Sequence, residues 1–175
     1  MPQWPGHAVL QVPVPELEDF VRERTAHYDT GFLGASEVPG QCHVHAHVTA
    51  LGPFLSPPDV RIVRGIAART AAFGHTLSRI AVFPDGIIHA VPEPKAPFRA
   101  LTAALREAFP EVIPYGGLHE VNPHVTLDAV GPGVDVEWVR ECLSRVLPCS
   151  SRAEALDLVW YEQGNTRLME RFALA

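Results

Sequence analysis

The chain has 175 residues, of which 47% are hydrophobic and 19% charged, proportions typical of one globular domain with a sizeable core. Its formal net charge at pH 7 is −6, and its basic residues are scattered arginines and a single lysine, Lys95. Proteins that bind long nucleic acids usually carry a basic stripe, so the composition argues against that class.

The first half of the chain predicts helices alternating with strands. Alternating apolar residues, prolines, glycines and acidic helix starts predict these elements in order: strand 7–14, helix 15–28, loop 29–42, strand 43–51, a helix from the turn at 56–59 to 73, and strands 76–83 and 86–91. The last two strands are joined at Pro84-Asp85-Gly86, a sequence typical of a hairpin.

The second half repeats this order. It predicts a helix over 98–109, a loop that contains 114–117, a strand over 124–130, a helix over 136–147, and strands 153–161 and 167–174. Such a duplication over roughly 80 residues indicates two similar units rather than a solenoid. We predict one domain over 1–175 with an α+β fold of two pseudo-symmetric lobes, about 1–91 and 92–175. Each lobe has an antiparallel sheet and flanking helices around a central cleft, and exchange of strands between lobes is left open.

The same three residues, His-Val-Thr, lie in corresponding strands of the two halves. Because side chains alternate between the faces of a strand, His47 shares a face with Thr49, and His124 shares a face with Thr126. A pseudo-two-fold axis would bring both pairs to one cleft. One imidazole can act as general base while the other, protonated, acts as general acid. Threonine hydroxyls can donate hydrogen bonds to phosphate oxygens, so the pattern predicts phosphodiester chemistry that needs no metal or cofactor.

These motifs resemble a known family. The sequences from His47 to Phe54 (HVTALGPF) and from Pro123 to Leu127 (PHVTL) are similar to the paired signatures of the two-histidine (2H) phosphoesterase superfamily, most of all its bacterial 2′-5′ RNA ligase-like branch. The run Pro114–Gly117 and a final hairpin with Trp160 also resemble members of that branch. The resemblance covers essentially the whole chain.

The resemblance implies a bilobal α/β fold with a central cleft. It also implies hydrolysis of a 2′,3′-cyclic phosphate on an RNA end or a small cyclic nucleotide, with 2′-5′ ligation in some relatives. By position, His47 and His124 match the catalytic pair, and Thr49 and Thr126 match the phosphate-binding pair.

Three further residues are predicted to contact substrate. Tyr115, in a glycine-rich loop, is suited to stacking on a base or bonding a phosphate, and Phe54 follows the first motif. His45 is the third, and we expect it, with His43, to line the mouth of the cleft or to lie on the surface. Asp128 shares the polar face of His124. Its carboxylate is suited to orienting an imidazole or binding a ribose hydroxyl, but the favoured interpretation is a solvated carboxylate.

The expected surroundings of the protein follow from the same features. The apolar runs are shorter than a bilayer span, the first 15 residues lack a basic region, and the three cysteines have no CxxC spacing. We expect a cytoplasmic protein with no membrane partner and no long-duplex nucleic acid. Its substrate would be a small nucleotide or an RNA terminus, and a site complete in one chain favours a monomer.

Three alternatives stay open. A nucleotide- or RNA-binding module on the same fold would bind without turnover. A metal hydrolase would use the run His43, His45 and His47, although three imidazoles in a line rarely close around one ion. A biosynthetic enzyme would share the mechanism but act on another phosphate ester. The sequence does not assign the acid, the base or the 2′ or 3′ product.

Overall fold

The computed structural model describes residues 6–28, 33–117 and 120–175, and only the backbone of 26–28 and 115–116. The described strands are β1 (His7–Pro13), β2 (Ala35–Ser36), β3 (His47–Phe54), β4 (Phe73–Val82), β5 (Ile87–Glu93), β6 (Val125–Ala129), β7 (Cys149–Ala153), β8 (Ala155–Tyr161) and β9 (Arg167–Ala173). The described α-helices are α1 (Glu18–Tyr28), α2 (Val60–Arg69), α3 (Ala96–Ala108) and α4 (Val136–Cys142). Short 3₁₀ turns lie at Pro15–Leu17 and Pro114–Gly117.

All of these strands belong to one sheet, in the order β2-β9-β8-β1-β3-β6-β5-β4-β7. Neighbouring strands are antiparallel, except that the two-residue β2 runs parallel to β9. The α+β class is confirmed. The sheets predicted for the two lobes join at the centre of this single sheet, where β3 and β6 pair through Val48 and Val125.

The repeated units exchange strands. The order β1-α1-β3-α2-β4 corresponds to β5-α3-β6-α4-β8, yet β4 pairs with β5 and β8 pairs with β1. Each half of the sheet therefore contains strands from both halves of the chain, and the sheet halves do not coincide with residues 1–91 and 92–175. The exchange leaves β3 and β6, which carry the His-Val-Thr motifs, as direct neighbours at the centre.

The helices that follow β1 and β5 cross to the opposite half of the sheet. Helix α1 packs against β6, and helix α3 packs against β3. The buried core includes large side chains from both halves, among them Leu10, Leu51, Leu77, Leu105 and Leu158. Each central strand is therefore supported by a helix from the other repeat, which fixes the two motifs relative to each other.

Several element boundaries differ from those predicted. The strand predicted over 153–161 is β8, Ala155–Tyr161, and it is preceded by a strand that was not predicted, Cys149–Ala153, which pairs with β4 at the edge of the sheet. Helix α2 ends at Arg69, since the next residues bond to the last residue of the chain: Ala175 N–H donates to Thr70 O at 2.8 Å. Helix α4 ends at Cys142, and the strand predicted from residue 43 begins at His47.

Both predicted hairpin turns are present. Gly86 has a φ of 92°, a value that favours glycine, and its N–H donates to Phe83 O at 2.8 Å. The turn between β8 and β9 is closed by Asn165 N–H donating to Glu162 O at 2.9 Å. Within the described ranges, no helix is long and apolar enough to cross a membrane.

Candidate active site

The two His-Val-Thr motifs face each other across the centre of the sheet. Val48 pairs with Val125 in antiparallel register, so continuing that register by one residue places His47 opposite Thr126 and Thr49 opposite His124. His47, Thr49 and Thr126 line a cleft of about 1120 Å³. The strands thus bring together the four residues that the sequence singles out.

Each of the two histidines is oriented by the same local hydrogen bond. Nδ1 of His47 lies 2.7 Å from the carbonyl oxygen of His45, and Nδ1 of His124 lies 2.7 Å from that of Asn122. Because a carbonyl oxygen only accepts, Nδ1 must carry the proton in both rings. In the neutral ring Nε2 is then unprotonated, so it can take a proton, or give one after the ring becomes charged.

Burial disfavours the charged form of both rings. It lowers the pKa of His47 from 6.5 to about 4; the bond to the His45 carbonyl opposes this effect, and a positive charge on His124 adds to it. Burial also lowers the pKa of His124, against the bond to the Asn122 carbonyl and the nearby Asp85. A bound phosphate anion would raise both pKa values, because an opposite charge favours the protonated ring.

An aromatic side chain lies beside each of His47 and His124. The two aromatic residues lie at the end of β8 and just after β4, which are corresponding strands of the two repeats. Phe83, just after β4, packs edge-on against His124, with ring centroids 4.9 Å apart. Its other contact is His89, which stacks on it at 3.7 Å and lies opposite Thr126 in the sheet. His89 is 3% exposed, so it belongs to the wall that holds the His124 ring.

Tyr161, at the end of β8, takes the corresponding place beside His47. Their ring centroids are 6.4 Å apart, and the tyrosine hydroxyl donates to Gln11 Oε1 at 2.7 Å. Gln11 is fully buried and lies opposite Thr49, as His89 lies opposite Thr126. Burial raises the pKa of Tyr161, so its hydroxyl stays a hydrogen-bond donor. The isolated tyrosine and glutamine gave no signal in the sequence.

His45 lines the cleft, one of the two places expected for it, and its side chain is buried rather than on the surface. Its Nε2 accepts from Gly34 N–H at 3.1 Å, so Nδ1 must donate to Glu18 Oε1 at 2.7 Å. The other oxygen of Glu18 accepts from Ala46 N–H at 2.9 Å. Both ring nitrogens are therefore engaged within the protein, and the predicted contact of His45 with substrate stays a prediction. Glu18 holds the backbone that orients His47.

His43 is also buried, with 4% exposure, and it stacks on His45 with ring centroids 4.3 Å apart. Burial lowers its pKa to about 3. In the described part of the chain, no group of three or more histidine, cysteine or acidic side chains is arranged to hold a metal ion. The engaged nitrogens of His45 explain why the run His43, His45 and His47 does not form such a group.

Asn122, whose carbonyl orients His124, is itself held by a charged side chain, as the backbone before His47 is held by Glu18. Lys95 Nζ donates to Asn122 Oδ1 at 2.8 Å, and the Asn122 carbonyl accepts from His124. The anchoring side chain is thus a cation on the His124 side and an anion, Glu18, on the His47 side. Asp85 also lies near His124, and it raises the pKa of that ring more than Lys95 lowers it. Neither anchoring side chain was predicted, because both are distant in sequence from the motif that they support.

Asp128 is buried and paired, contrary to its interpretation as a solvated carboxylate. Its side chain is fully buried, and Oδ2 accepts from Arg24 Nε at 2.6 Å. The Arg24 guanidinium lies 5.0 Å from the ring centroid of Trp138, and both members of the ion pair line the cleft. Arg24 is a cleft cation that sequence reasoning missed, since only the packing of α1 on β6 brings it there.

The other two predicted contacts have different outcomes. Phe54 is 4% exposed and packs edge-on against Phe109 at 5.3 Å, so it belongs to the core and the predicted contact with substrate is wrong. The side chain of Tyr115 lies outside the described residues, and its predicted contact stays a prediction. The remaining cleft wall is mostly apolar and includes Val9, Val21 and Leu51.

Comparisons with known proteins give one family and one fold. The family model described as "2′-5′ RNA ligase superfamily" matches residues 4–165. The crystal structure of TT0787 of Thermus thermophilus is 21% identical with a TM-score of 0.60, covering 96% of this chain and 97% of that one. E. coli LigT complexed with 3′-AMP is 16% identical with a TM-score of 0.56, covering 98% and 99%. At these identities the structures show a shared fold. A search of curated proteins gave no match.

Proposed function

This chain belongs to the 2′-5′ RNA ligase superfamily, and we propose that it is a metal-independent phosphodiesterase that opens a 2′,3′-cyclic phosphate. One observation carries the proposal. His47 and His124 come from neighbouring antiparallel strands, and each has Nδ1 bonded to the carbonyl two residues before it, which leaves Nε2 for proton transfer. A cyclic phosphodiester needs two such groups, because one proton leaves the nucleophile and another reaches the leaving oxygen.

In the proposed reaction, Nε2 of one histidine takes a proton from water while the water oxygen forms a bond to phosphorus. The ester bond between phosphorus and one ribose oxygen breaks, and the protonated Nε2 of the other histidine donates its proton to that oxygen. The product is a phosphate monoester with a free hydroxyl. If the 5′-hydroxyl of a second ribose takes the place of water, the same two proton transfers give a 2′-5′ linkage, and the bond from phosphorus to the 3′ oxygen breaks to leave a 3′-hydroxyl.

Thr49 and Thr126 are proposed to bind the phosphate. Register places each threonine opposite the histidine of the other motif, so one hydroxyl lies near each ring. A hydroxyl donates to a non-bridging phosphate oxygen, and such bonds strengthen as negative charge builds up on the pentacoordinate phosphorus.

A nucleotide is the proposed substrate. Solved structures of E. coli LigT contain 3′-AMP, ATP, NADP+ or phosphate, and they share the fold of this chain. The mostly apolar wall of the cleft suits one face of a base or a ribose ring. Because both histidines belong to one chain, we propose that the protein acts as a monomer. Free thiols at Cys42, Cys142 and Cys149 suit the reducing cytoplasm.

The test is turnover of the four nucleoside 2′,3′-cyclic monophosphates and of a short RNA ending in a 2′,3′-cyclic phosphate, in the presence of EDTA. His47→Asn and His124→Asn are assayed in parallel, with Arg61→Gln as a surface control. We expect turnover by the wild type and the control, and loss of turnover in both histidine variants. Activity that needs added metal and survives His124→Asn would overturn the proposal, as would binding of nucleotide with no turnover at all.

A further inference from the structure

A second groove borders the cleft. It has a volume of about 770 Å³ and is formed on one side by the outer face of α3, with Arg99, Ala103 and Arg106. On the other side it is lined by Ile113, Pro114 and Val121, which also line the cleft. The two depressions therefore share a wall, and a molecule that leaves the cleft over this wall enters the groove.

The groove offers two arginines without a carboxylate partner, next to the cleft. Seven of the thirteen arginines form an ion pair with a carboxylate, namely Arg24, Arg61, Arg64, Arg140, Arg152, Arg167 and Arg171. Among the described residues the other six form none, and of these six only Arg99 and Arg106 line the groove or the cleft. Arg99 and Arg106 are exposed, and neither has an ion pair or a side-chain hydrogen bond within the described ranges. Two guanidinium groups are thus open to an anion in a groove that contains one carboxylate, Glu120.

Helix α3 holds these arginines in a fixed place relative to the candidate active site. The hydroxyl of Thr102 is buried and donates to the carbonyl of Ala50, the residue after Thr49, at 2.7 Å. Arg99 and Arg106 are seven residues apart on the helix, which places them on one face about 10 Å apart along its axis. That spacing suits contacts with two separate phosphates of one extended strand better than a clamp on a single phosphate.

We propose that Arg99 and Arg106 form a subsite for the backbone phosphates of a single-stranded RNA whose 2′,3′-cyclic end lies between His47 and His124. This inference rests on the proposed function and specifies its substrate as an RNA end of several nucleotides rather than a free cyclic mononucleotide. Arginine suits this role because its planar guanidinium donates two parallel hydrogen bonds to a phosphate. The net charge of −6 does not oppose it, since backbone contacts act over about 10 Å at ordinary salt.

The experiment compares the double variant Arg99→Gln/Arg106→Gln with the wild type on two substrates. One is a nucleoside 2′,3′-cyclic phosphate, and the other is a six-nucleotide RNA that ends in the same nucleoside cyclic phosphate. The matched control is Arg69→Gln/Arg145→Gln. It removes the same charge from two exposed arginines that line neither the cleft nor the groove.

We expect the ratio of kcat/KM for the hexanucleotide to that for the mononucleotide to fall roughly tenfold in the groove variant and to stay unchanged in the control. The slope of log kcat/KM against log salt for the hexanucleotide should become shallower by about 1.4, since each phosphate contact to a single strand contributes about 0.7. An unchanged ratio, or an equal fall in the control, would overturn the subsite while leaving the proposed function in place.

A separate binding measurement keeps the subsite testable if the wild type opens neither substrate. Fluorescence anisotropy with a labelled hexanucleotide 3′-phosphate then reports binding without catalysis. Binding that weakens roughly tenfold in the groove variant and not in the control would support the subsite even though the proposed reaction had failed. Equal binding by all three proteins would overturn it.

Discussion

The His47 and His124 sides of the cleft have matching backbones but opposite charges behind them. On one side the anion Glu18 bonds to His45 and Ala46, and on the other the cation Lys95 bonds to Asn122. The hydrogen bond that fixes each imidazole is the same. The comparison shows that duplication preserves the geometry of a motif, while the side chains that anchor its two copies can carry opposite charges.

The contacts that join α1 to β6 and α3 to β3 also differ between the repeats. Residue 128, four after His124, is an aspartate that binds α1 through Arg24, whereas residue 51, four after His47, is a buried leucine. Helix α3 is instead tied to its strand by Thr102 and the carbonyl of Ala50. One repeat therefore holds its helix with a buried ion pair, and the other with a neutral hydrogen bond.

The largest expected effect comes from the histidines themselves. We expect His47→Asn and His124→Asn each to lower kcat/KM by about 10²–10⁴-fold, because each removes one proton transfer of a single step. The double variant should be no slower than the worse single one, since groups that act together are not additive. Steady-state kinetics with a cyclic nucleotide measures this. If either single variant kept kcat/KM within about tenfold of the wild type, the histidine that it lacks would not be one of the two proton-transfer groups.

Removing the ion pair should have the next largest effect. Asp128→Ala removes the fully buried carboxylate that pairs with the partly buried Arg24, so we expect a loss of about 3 kcal/mol in the free energy of unfolding, the lower end of the range for a buried pair. Thr102→Val breaks only a neutral bond and should cost about 1 kcal/mol. Urea unfolding of both variants gives the comparison. Equal losses of unfolding free energy in the two variants would show that the ion pair and the Thr102 hydrogen bond stabilise the fold to the same extent.

Substitutions of Glu18 and Lys95, the charged residues behind the two histidines, should have smaller effects on stability and activity. Glu18→Ala leaves the donors of His45 and Ala46 without an acceptor, so we expect a loss of about 2 kcal/mol in unfolding free energy and a fall in kcat. Lys95→Met removes a half-exposed contact and should cost under about 1 kcal/mol. Glu18→Gln keeps one acceptor and should recover part of kcat. A variant Lys95→Met that loses more stability than Glu18→Ala would contradict this order.

The smallest expected difference between the two histidines is in how much each contributes to the pH dependence of the unfolding free energy. The pKa of His47 is about 4 in the folded protein and 6.5 when unfolded, so the unfolded state binds the proton first. The stability that neutral His47 contributes is therefore complete above pH 6.5 and is lost as the pH falls toward 4. We expect His47→Gln to weaken the dependence of unfolding free energy on pH more than His124→Gln does. Urea midpoints at about pH 7.5 and pH 5.0 measure it, and equal dependence in both variants would remove the asymmetry.

The sequence alone predicted the features that depend on short segments of the chain. The His-Val-Thr motifs, the hairpins at Gly86 and Gly164 and the helices depend on alternation, turn residues and capping within short segments, and the structure contains them. It was misleading at Asp128 and Phe54, because exposure is set by what packs over a residue. A polar residue on a predicted polar face is buried whenever a partner such as Glu18 or Arg24 arrives from a distant element.

By itself, the sequence determined the α+β class, the duplication and the paired histidines and threonines, since repetition and alternation are properties of the chain. Only the tertiary structure decided that the strands are exchanged, that β3 and β6 are neighbours and that Arg24, Glu18, Lys95 and Tyr161 surround the pair. The physical reason is separation along the chain. Pairing and packing between distant segments depend on the total burial of the fold, which no short window of sequence contains.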